Sequence, residues 1–308
     1  MIVMEKAMDK NISLIINPCA GTRRMHGMLT DVVDRLNRAG YKSTVFITGA
    51  KGDATEYAAK ECIGSDLVIC SGGDGTFNEV VNGLMKSGLS IPIGYIPTGS
   101  TNDFANSLHL SSDIMTAVGD IINGCVTDLD IGVINGQYFS YVASTGIFTR
   151  TTYSTPQNLK NLLGHAAYVL EGAKDLTSFI PMSFDIECEE GSFSGEYILG
   201  AVCNSTSLGG VLKLDPDVVD LNDGLFELLF IRMPESLDEL LRITNALSRK
   251  NYDCDMIDFV SSSKVTIKCE EPLDWTLDGE LCRCGETVTI ENIHNAIKVI
   301  TPGVLVDL

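Results

Sequence analysis

Gly72-Gly73-Asp74-Gly75-Thr76-Phe77-Asn78-Glu79 follows directly on the apolar run Asp66-Leu67-Val68-Ile69-Cys70-Ser71. The pattern reads as a buried strand that turns through glycines into a helix. Glycines around a single aspartate let the backbone take positive φ and let a bulky anion approach the main chain. The helix that follows offers free N–H groups and the positive end of its dipole. Such a junction suits a nucleotide phosphate, and taken alone it also suits an ordinary structural turn.

The surrounding chain decides between fold classes. Strand-like runs at Ile12–Ile16, 43–48, 66–71 and 91–96 alternate with helical patterns at 26–39, 53–61, 76–86 and 102–108. This trading of strand and helix predicts parallel βαβ units with right-handed crossovers, an open α/β sheet that binds ligands beyond the carboxyl ends of its strands. The loops Asn17 to Gly21, Thr48 to Asp53, Gly72 to Thr76 and Pro97 to Asp103 each follow a strand, so they are expected to face one crevice. From residue 126 the rhythm changes to strands at 126–133, 137–143, 182–188, 196–203, 224–231, 264–268 and 286–290, with helices only at 159–176 and 237–247. The expected organisation is therefore a nucleotide-binding α/β domain over 1–125 and a β-rich sandwich domain over 126–308. The last strand-like stretch, 296–302, either closes the second domain or returns to the first.

Composition narrows the partners. Lys and Arg total 22 against 41 Asp and Glu, a formal net charge of −19, which argues against nucleic acid and against adsorption to anionic lipid by charge alone. Ten cysteines are scattered without a Cys-x-x-Cys pair or a secretory leader, so reduced thiols in the cytosol are expected. Cys282-Arg283-Cys284 has no second pair or nearby histidine to complete a zinc site. His26, His109, His165 and His294 lie at neither metal nor triad spacing. No apolar run reaches the roughly 20 residues of a membrane span.

Asn17-Pro18-Cys19-Ala20-Gly21 leaves room beside the first strand for a phosphate or base, and Pro97-Thr98-Gly99-Ser100-Thr101-Asn102-Asp103 opens another helix with two acceptor side chains. Singly, the first also reads as an ordinary turn, and the second is explained by helix capping. Capping does not account for Asp74 and Asp103 meeting at one sheet mouth, whereas magnesium-assisted phosphoryl transfer does, since one or two carboxylates plus nucleotide phosphates complete a Mg²⁺ site. Asp74 is the first metal-facing carboxylate and Asp103 the second, directly or through water.

These motifs, with Phe104-Ala105 after the second loop and Asp278-Gly279-Glu280 downstream, resemble the diacylglycerol kinase and sphingosine kinase catalytic superfamily, closest to its small bacterial lipid kinases. The resemblance covers nearly the whole chain. It implies ATP bound between an α/β domain and a β-sandwich domain, with Asn17, Pro18, Cys19, Ala20, Gly21, Thr48, Gly72, Gly73, Asp74, Gly75, Thr76, Phe77, Asn78, Glu79, Thr98, Ser100 and Asn102 at the nucleotide. It implies Glu280 as the base that takes the lipid hydroxyl proton, although Asp278-Gly279 by itself reads as a hairpin turn that leaves an exposed glutamate. A carboxylate at a domain junction is expected to be partly desolvated, which favours a base. The family commonly has threonine where Ser100 stands, and a lysine where this chain has Thr22-Arg23-Arg24, so either arginine is open as the phosphate contact. The acidic stretch Asp215 to Leu225 reads as a solvated loop; the resemblance implies a structural divalent ion there, on Asp220, Asp223 and the carbonyl of Leu225. It also implies a homodimer.

The expected activity is ATP- and Mg²⁺-dependent phosphorylation of a neutral lipid alcohol, diacylglycerol first, by a cytoplasmic enzyme that meets the inner membrane surface transiently, through an apolar rim around 151–163. An NAD kinase shares the glycine–aspartate loop, but Pro97 to Ala105 favours the lipid branch. A lipid-binding protein without turnover is the non-enzymatic alternative, and the intact Asp74, Asp103 and Glu280 count against it.

Overall fold

The structure is a computed structural model and describes residues 10–21, 23–147, 179–208 and 212–303. The expected helix at 159–176 and rim at 151–163 lie outside the described residues. The chain forms two compact units: one runs to Ile131 and is taken up again from His294, and the other is Gly132–Ile293.

The first unit alternates strand and helix: β1 (Lys10–Ile16), α1 (Arg24–Arg38), β2 (Tyr41–Ile47), α2 (Asp53–Lys60), β3 (Leu67–Gly72), α3 (Asp74–Ser87), β4 (Ile93–Pro97), α4 (Asp103–Ser107), α5 (Ile114–Asn123) and β5 (Cys125–Ile134). Strands β2, β1, β3 and β4 pair in that order, all parallel. Every residue of β3 and β4 is buried, as expected of parallel strands with helices on both faces. Ile12, Leu14, Ile16, Leu67 and Ile69 pack with Val32 and Leu36 of α1 and Val118 and Ile121 of α5. By strand periodicity the alternate residues Ile15, Val68 and Cys70, also buried, face the opposite layer. Helices α2 and α3 pack against each other so closely that a Cβ on Gly83 would stand 2.4 Å from the Thr55 carbonyl oxygen. Helix α5 is an addition to the elements read from the sequence; its signal is Asp113, whose carboxylate accepts the Thr116 N–H at 2.8 Å as an N-cap.

The second unit is an antiparallel sandwich. Its elements are β6 (Gln137–Phe139), β7 (Val142–Gly146), β8 (Met182–Cys188), β9 (Gly191–Cys203), β10 (Ser207–Leu208), β11 (Leu212–Lys213), β12 (Phe226–Arg232), α6 (Leu237–Ser248), β13 (Ile257–Ser262), β14 (Lys264–Cys269), β15 (Asp274–Leu277), β16 (Glu280–Arg283) and the first part of β17 (Thr287–Thr301). The order β16-β15-β7-β9-β8-β14-β17 is joined by β12 and β13, which branch from β9. Phe139, Phe184, Tyr197, Phe226, Phe230 and Trp275 fill the core. Helix α6 starts on a capping box in which Ser236 accepts the Glu239 N–H and Glu239 reaches back to the Ser236 N–H.

The stretches read as two strands, 286–290 and 296–300, form one strand, β17. Its later part lies in the first unit, where Val299 pairs in parallel with Ile93 of β4. The strand survives a left-handed residue, Asn295 at φ +54°, because the Asn295 N–H donates to the buried Asp130 carboxylate at 2.8 Å.

Candidate functional site

Main-chain hydrogen bonds draw the carboxyl ends of the first unit's strands together. The Asn17 N–H donates to the Ser71 carbonyl (2.8 Å), the Thr98 N–H to the Gly72 carbonyl (2.8 Å), and the Thr48 N–H to the Ile16 carbonyl (2.9 Å). The Asn17 side chain links two loops, with its Nδ2 donating to Thr76 Oγ1 (3.0 Å) and its Oδ1 accepting from the Cys19 N–H (3.0 Å). Asn102, left-handed at φ +54°, closes the fourth loop on itself by bonding both the N–H and the carbonyl of Gly99.

Glycine is needed where these loops touch. A Cβ on Gly21, at φ +49°, would stand 2.3 Å from the Thr98 carbonyl oxygen, and one on Gly99 would stand 2.6 Å from the Gly73 Cα. Gly75 differs, with nothing within 4 Å of its would-be Cβ. The space beside that glycine at the start of α3 is open, and the unpaired N–H groups of a helix's first turn point along its axis toward the N-terminal end. Cys19, Gly21, Gly75 and Ser100 are exposed around it, and Pro18 and Ala20 are half-buried.

Asp74 begins α3 and is fixed by α4. Its Oδ2 accepts the Asp103 N–H at 3.0 Å and its Oδ1 the Phe104 N–H at 3.3 Å. Burial pushes the Asp74 carboxyl above the usual carboxylate range, the neighbouring Asp103 adds to the rise, and the two N–H donors only offset part of it. Asp103 is itself 3% exposed. Asp74 and Asp103 begin α3 and α4, near enough for one carboxylate to raise the other, and such a pair is a donor set that a hard cation with phosphate ligands would complete.

Several residues expected at the nucleotide have side chains occupied within the protein. Phe77 is fully buried between Tyr95 and Phe104, at ring separations of 4.7 and 4.9 Å. Glu79 caps α2, accepting the Gly52 N–H at 2.9 Å and the Ala54 N–H at 3.2 Å; no sequence pattern announces this cap, because donor and acceptor lie on different helices. Asn78 Oδ1 accepts from Asn82 (2.8 Å). Thr98 is buried, and among the described residues neither its hydroxyl nor that of Ser71 has a partner. Arg24 donates to the Ser112 carbonyl at 3.3 Å, toward the start of α5, and Arg23 is exposed in a left-handed conformation.

In the second unit, Asp278 (φ +49°) and Gly279 (φ +86°) form the two-residue turn of the β15–β16 hairpin, in which Leu277 pairs with Glu280. Asp278 is buried, and its carboxylate accepts the N–H groups of Ser140 (2.6 Å), Tyr141 (3.0 Å) and Val142 (3.0 Å). Glu280 is thereby held on an anchored turn, exposed where partial burial was expected. In the acidic loop, Asp220 accepts the Asn222 N–H (3.0 Å), Asp223 accepts the Leu225 N–H (2.8 Å), and the Leu225 carbonyl accepts from Asn292 (3.0 Å). Glu227, two residues beyond Leu225, is buried with one carboxyl oxygen that has no partner among the described residues, its pKa pushed up to about 8 by burial and then by Asp223 and Asp220. Among the described residues no group of three His, Cys, Asp or Glu is arranged to hold a metal, and no helix is long and apolar enough to cross a membrane. His294 pairs with the buried Asp130 at 2.9 Å, and His165 lies outside the described residues.

Residues 11–134 match the diacylglycerol kinase catalytic domain, and residues 142–301 match the YegS C-terminal NAD kinase beta sandwich-like domain. The likeness to NAD kinases is thus one of sandwich fold. The diacylglycerol kinase of Bacillus subtilis (strain 168) is 38% identical over 299 residues, spanning 95% of this chain and 97% of its own. That of Staphylococcus epidermidis (strain ATCC 12228) is 36% identical over 300 residues, spanning 96% and 93%. The crystal structure of a candidate diacylglycerol kinase from Bacillus anthracis (strain Sterne) superposes with a TM-score of 0.78 at 26% identity, covering 95% of this chain and 97% of that one.

Proposed function

Because the chain belongs to the diacylglycerol kinase family and is a lipid kinase with ATP as phosphate donor, we propose that it phosphorylates diacylglycerol to phosphatidic acid. The observation that carries the site assignment is the Asp74 carboxylate, held by two main-chain N–H groups beside Asp103 next to the clear surface over Gly75. In this reading the first turn of α3 and the loops Asn17 to Gly21 and Gly72 to Gly75 take the triphosphate. Ser100 and Thr48 border it, while Phe77, Glu79, Thr98 and Asn102 hold the loops in shape. Arg23 is the phosphate contact, since Arg24 is drawn toward Ser112.

Asp74 and Asp103 would hold Mg²⁺, which when bound would offset the charge that develops on the transferred phosphoryl group. Glu280 accepts the proton of the attacking lipid hydroxyl, and Asp278 keeps the turn that presents it. Purified D74N and E280Q are expected to lose at least about 100-fold in turnover with diacylglycerol in mixed micelles, with R23A raising KM for ATP more than R24A does. Full activity in either of the first two would remove that residue from the mechanism.

A second divalent cation is proposed at Asp220, Asp223 and the Leu225 carbonyl, supported by two carboxylates folded back onto one loop and by the Asn292 bond that fixes the Leu225 carbonyl. Millimolar Mg²⁺ should raise the thermal midpoint of the parent by a few degrees and that of D223N by clearly less; equal shifts in both would refute it. The lipid substrate also supports transient contact with the inner membrane surface, to be checked by vesicle flotation; a cytoplasmic homodimer is proposed from the family resemblance alone, to be checked by sedimentation velocity.

A further inference from the structure

Cys282 and Cys284 are used by none of the chemistry above. Cys282 is 1% exposed and lies opposite Trp275 in the β15–β16 ladder. Cys284 follows one residue beyond the last ladder pair, Asp274 with Arg283. Two positions apart along one strand direction, their side chains share a face, and the two Sγ atoms are 3.7 Å apart. Asn135 Nδ2 reaches Cys284 Sγ and Gln137 Nε2 reaches Cys282 Sγ, each at 3.5 Å. Cys282 therefore lies on β16, the strand that begins at Glu280, and Cys284 directly follows its other end.

We propose that Cys282 and Cys284 are a reversible dithiol–disulfide pair, oxidised by hydroperoxides and reduced by dithiols, whose closure distorts β16 and so lowers kinase turnover through Glu280. Its effect on turnover rests on Glu280 acting as the base; the disulfide itself does not.

Closure brings the sulfurs about 1.7 Å closer, to a bond length near 2.05 Å. Cys282 is fixed in the core, so Cys284 moves, and it can: it lies past the ladder and Gly285 follows it. The Cα atoms of residues two apart in a strand stand about 6.7 Å apart, at the upper end of what a disulfide spans, so the bridged strand must shorten. Strained disulfides are the reducible ones. In the forward step the Cys284 thiol, the less buried of the two, loses its proton and attacks a peroxide oxygen. An S–O bond forms, the O–O bond breaks, and the leaving oxygen takes a proton to depart as water or alcohol. The Cys282 sulfur then attacks the sulfenic sulfur, the S–S bond forms, the S–O bond breaks, and the hydroxyl leaves as water with the Cys282 proton. Two electrons pass from the thiols to the peroxide. Burial pushes the Cys284 thiol up to about 12 and raises Cys282 as well. Oxidation is accordingly slow at neutral pH and quickens about tenfold per pH unit in alkaline buffer.

The test uses the full-length protein treated with hydrogen peroxide at pH 8.5. Trp275 is the sole tryptophan of the chain and pairs with Cys282, so its fluorescence reports the change without reference to activity. The expected result is a peptide carrying Cys282 and Cys284 that resists alkylation and is lighter by two hydrogens. Trp275 emission should shift and turnover fall severalfold, all reversed by dithiothreitol, with neither the emission shift nor the fall in turnover seen in C284S. Two alkylatable thiols after treatment, a sulfinic acid at Cys284, or a disulfide formed with turnover unchanged each overturns the switch. Reduced E280Q separates the premises: if it keeps full turnover the base assignment falls, while mass and fluorescence still decide the disulfide.

Discussion

Glu227 carries a carboxyl group into the interior of β12, and its raised pKa makes a pH-dependent claim on stability. With an ordinary glutamate value in the unfolded chain and about 8 in the folded one, the folded state binds the proton more tightly. The stability this contributes is fully present below about pH 4.5 and is lost as pH rises through 8. E227Q removes the titration while leaving a buried amide that costs about 1–3 kcal/mol at every pH. Between pH 5 and pH 9, without divalent cations, the stability difference between the two proteins should move in the variant's favour by on the order of 4 kcal/mol. Urea unfolding at the two pH values measures it, and a pH-independent difference would mean that the carboxyl finds a partner or solvent that keeps it ionised.

The β15–β16 hairpin shows what an element contributes that its residues alone do not. Asp278-Gly279 is readable in the sequence as a two-residue turn, because both positions need φ above zero and Gly and Asp supply it. The three N–H donors that Asp278 accepts come from Ser140 to Val142, more than 130 residues away in the chain, and no local pattern announces them. The same division runs through the first unit. Apolar runs and glycine loops predict β1 to β4 and the gathering of their ends, because each signal is local. The commitment of Glu79 to α2 and of Phe77 to the core depends on which helix lies beside which, and the single strand β17 depends on a buried Asp130 that caps Asn295. D278A leaves three buried N–H groups without their acceptor, and it should cost about 3 kcal/mol or more in urea unfolding and lower kcat with little change in KM for ATP. D278N keeps the left-handed turn but offers one acceptor oxygen where the carboxylate offers two, so it should recover only part of the stability. Equal losses in the two variants would show that the negative charge, and not the turn, is what matters.

For the whole molecule the decisive quantity is the net charge of −19, set against the membrane contact proposed above. A chain with so few cations is repelled by an anionic surface, and the repulsion acts over a Debye length of about 8 Å at physiological ionic strength. Contact must therefore come from local apolar burial working against the long-range field. Raising salt from about 20 to 200 mM screens that field. Flotation with vesicles of neutral phospholipid and diacylglycerol should then change little, while flotation with vesicles rich in phosphatidylglycerol should increase severalfold. The product of the proposed reaction is itself an anionic lipid, so conversion charges the surface the enzyme sits on. Progress curves on neutral vesicles should consequently slow before substrate is exhausted, and added salt should relieve the slowing. A decrease of vesicle binding with salt would identify a local basic contact that outweighs the net charge.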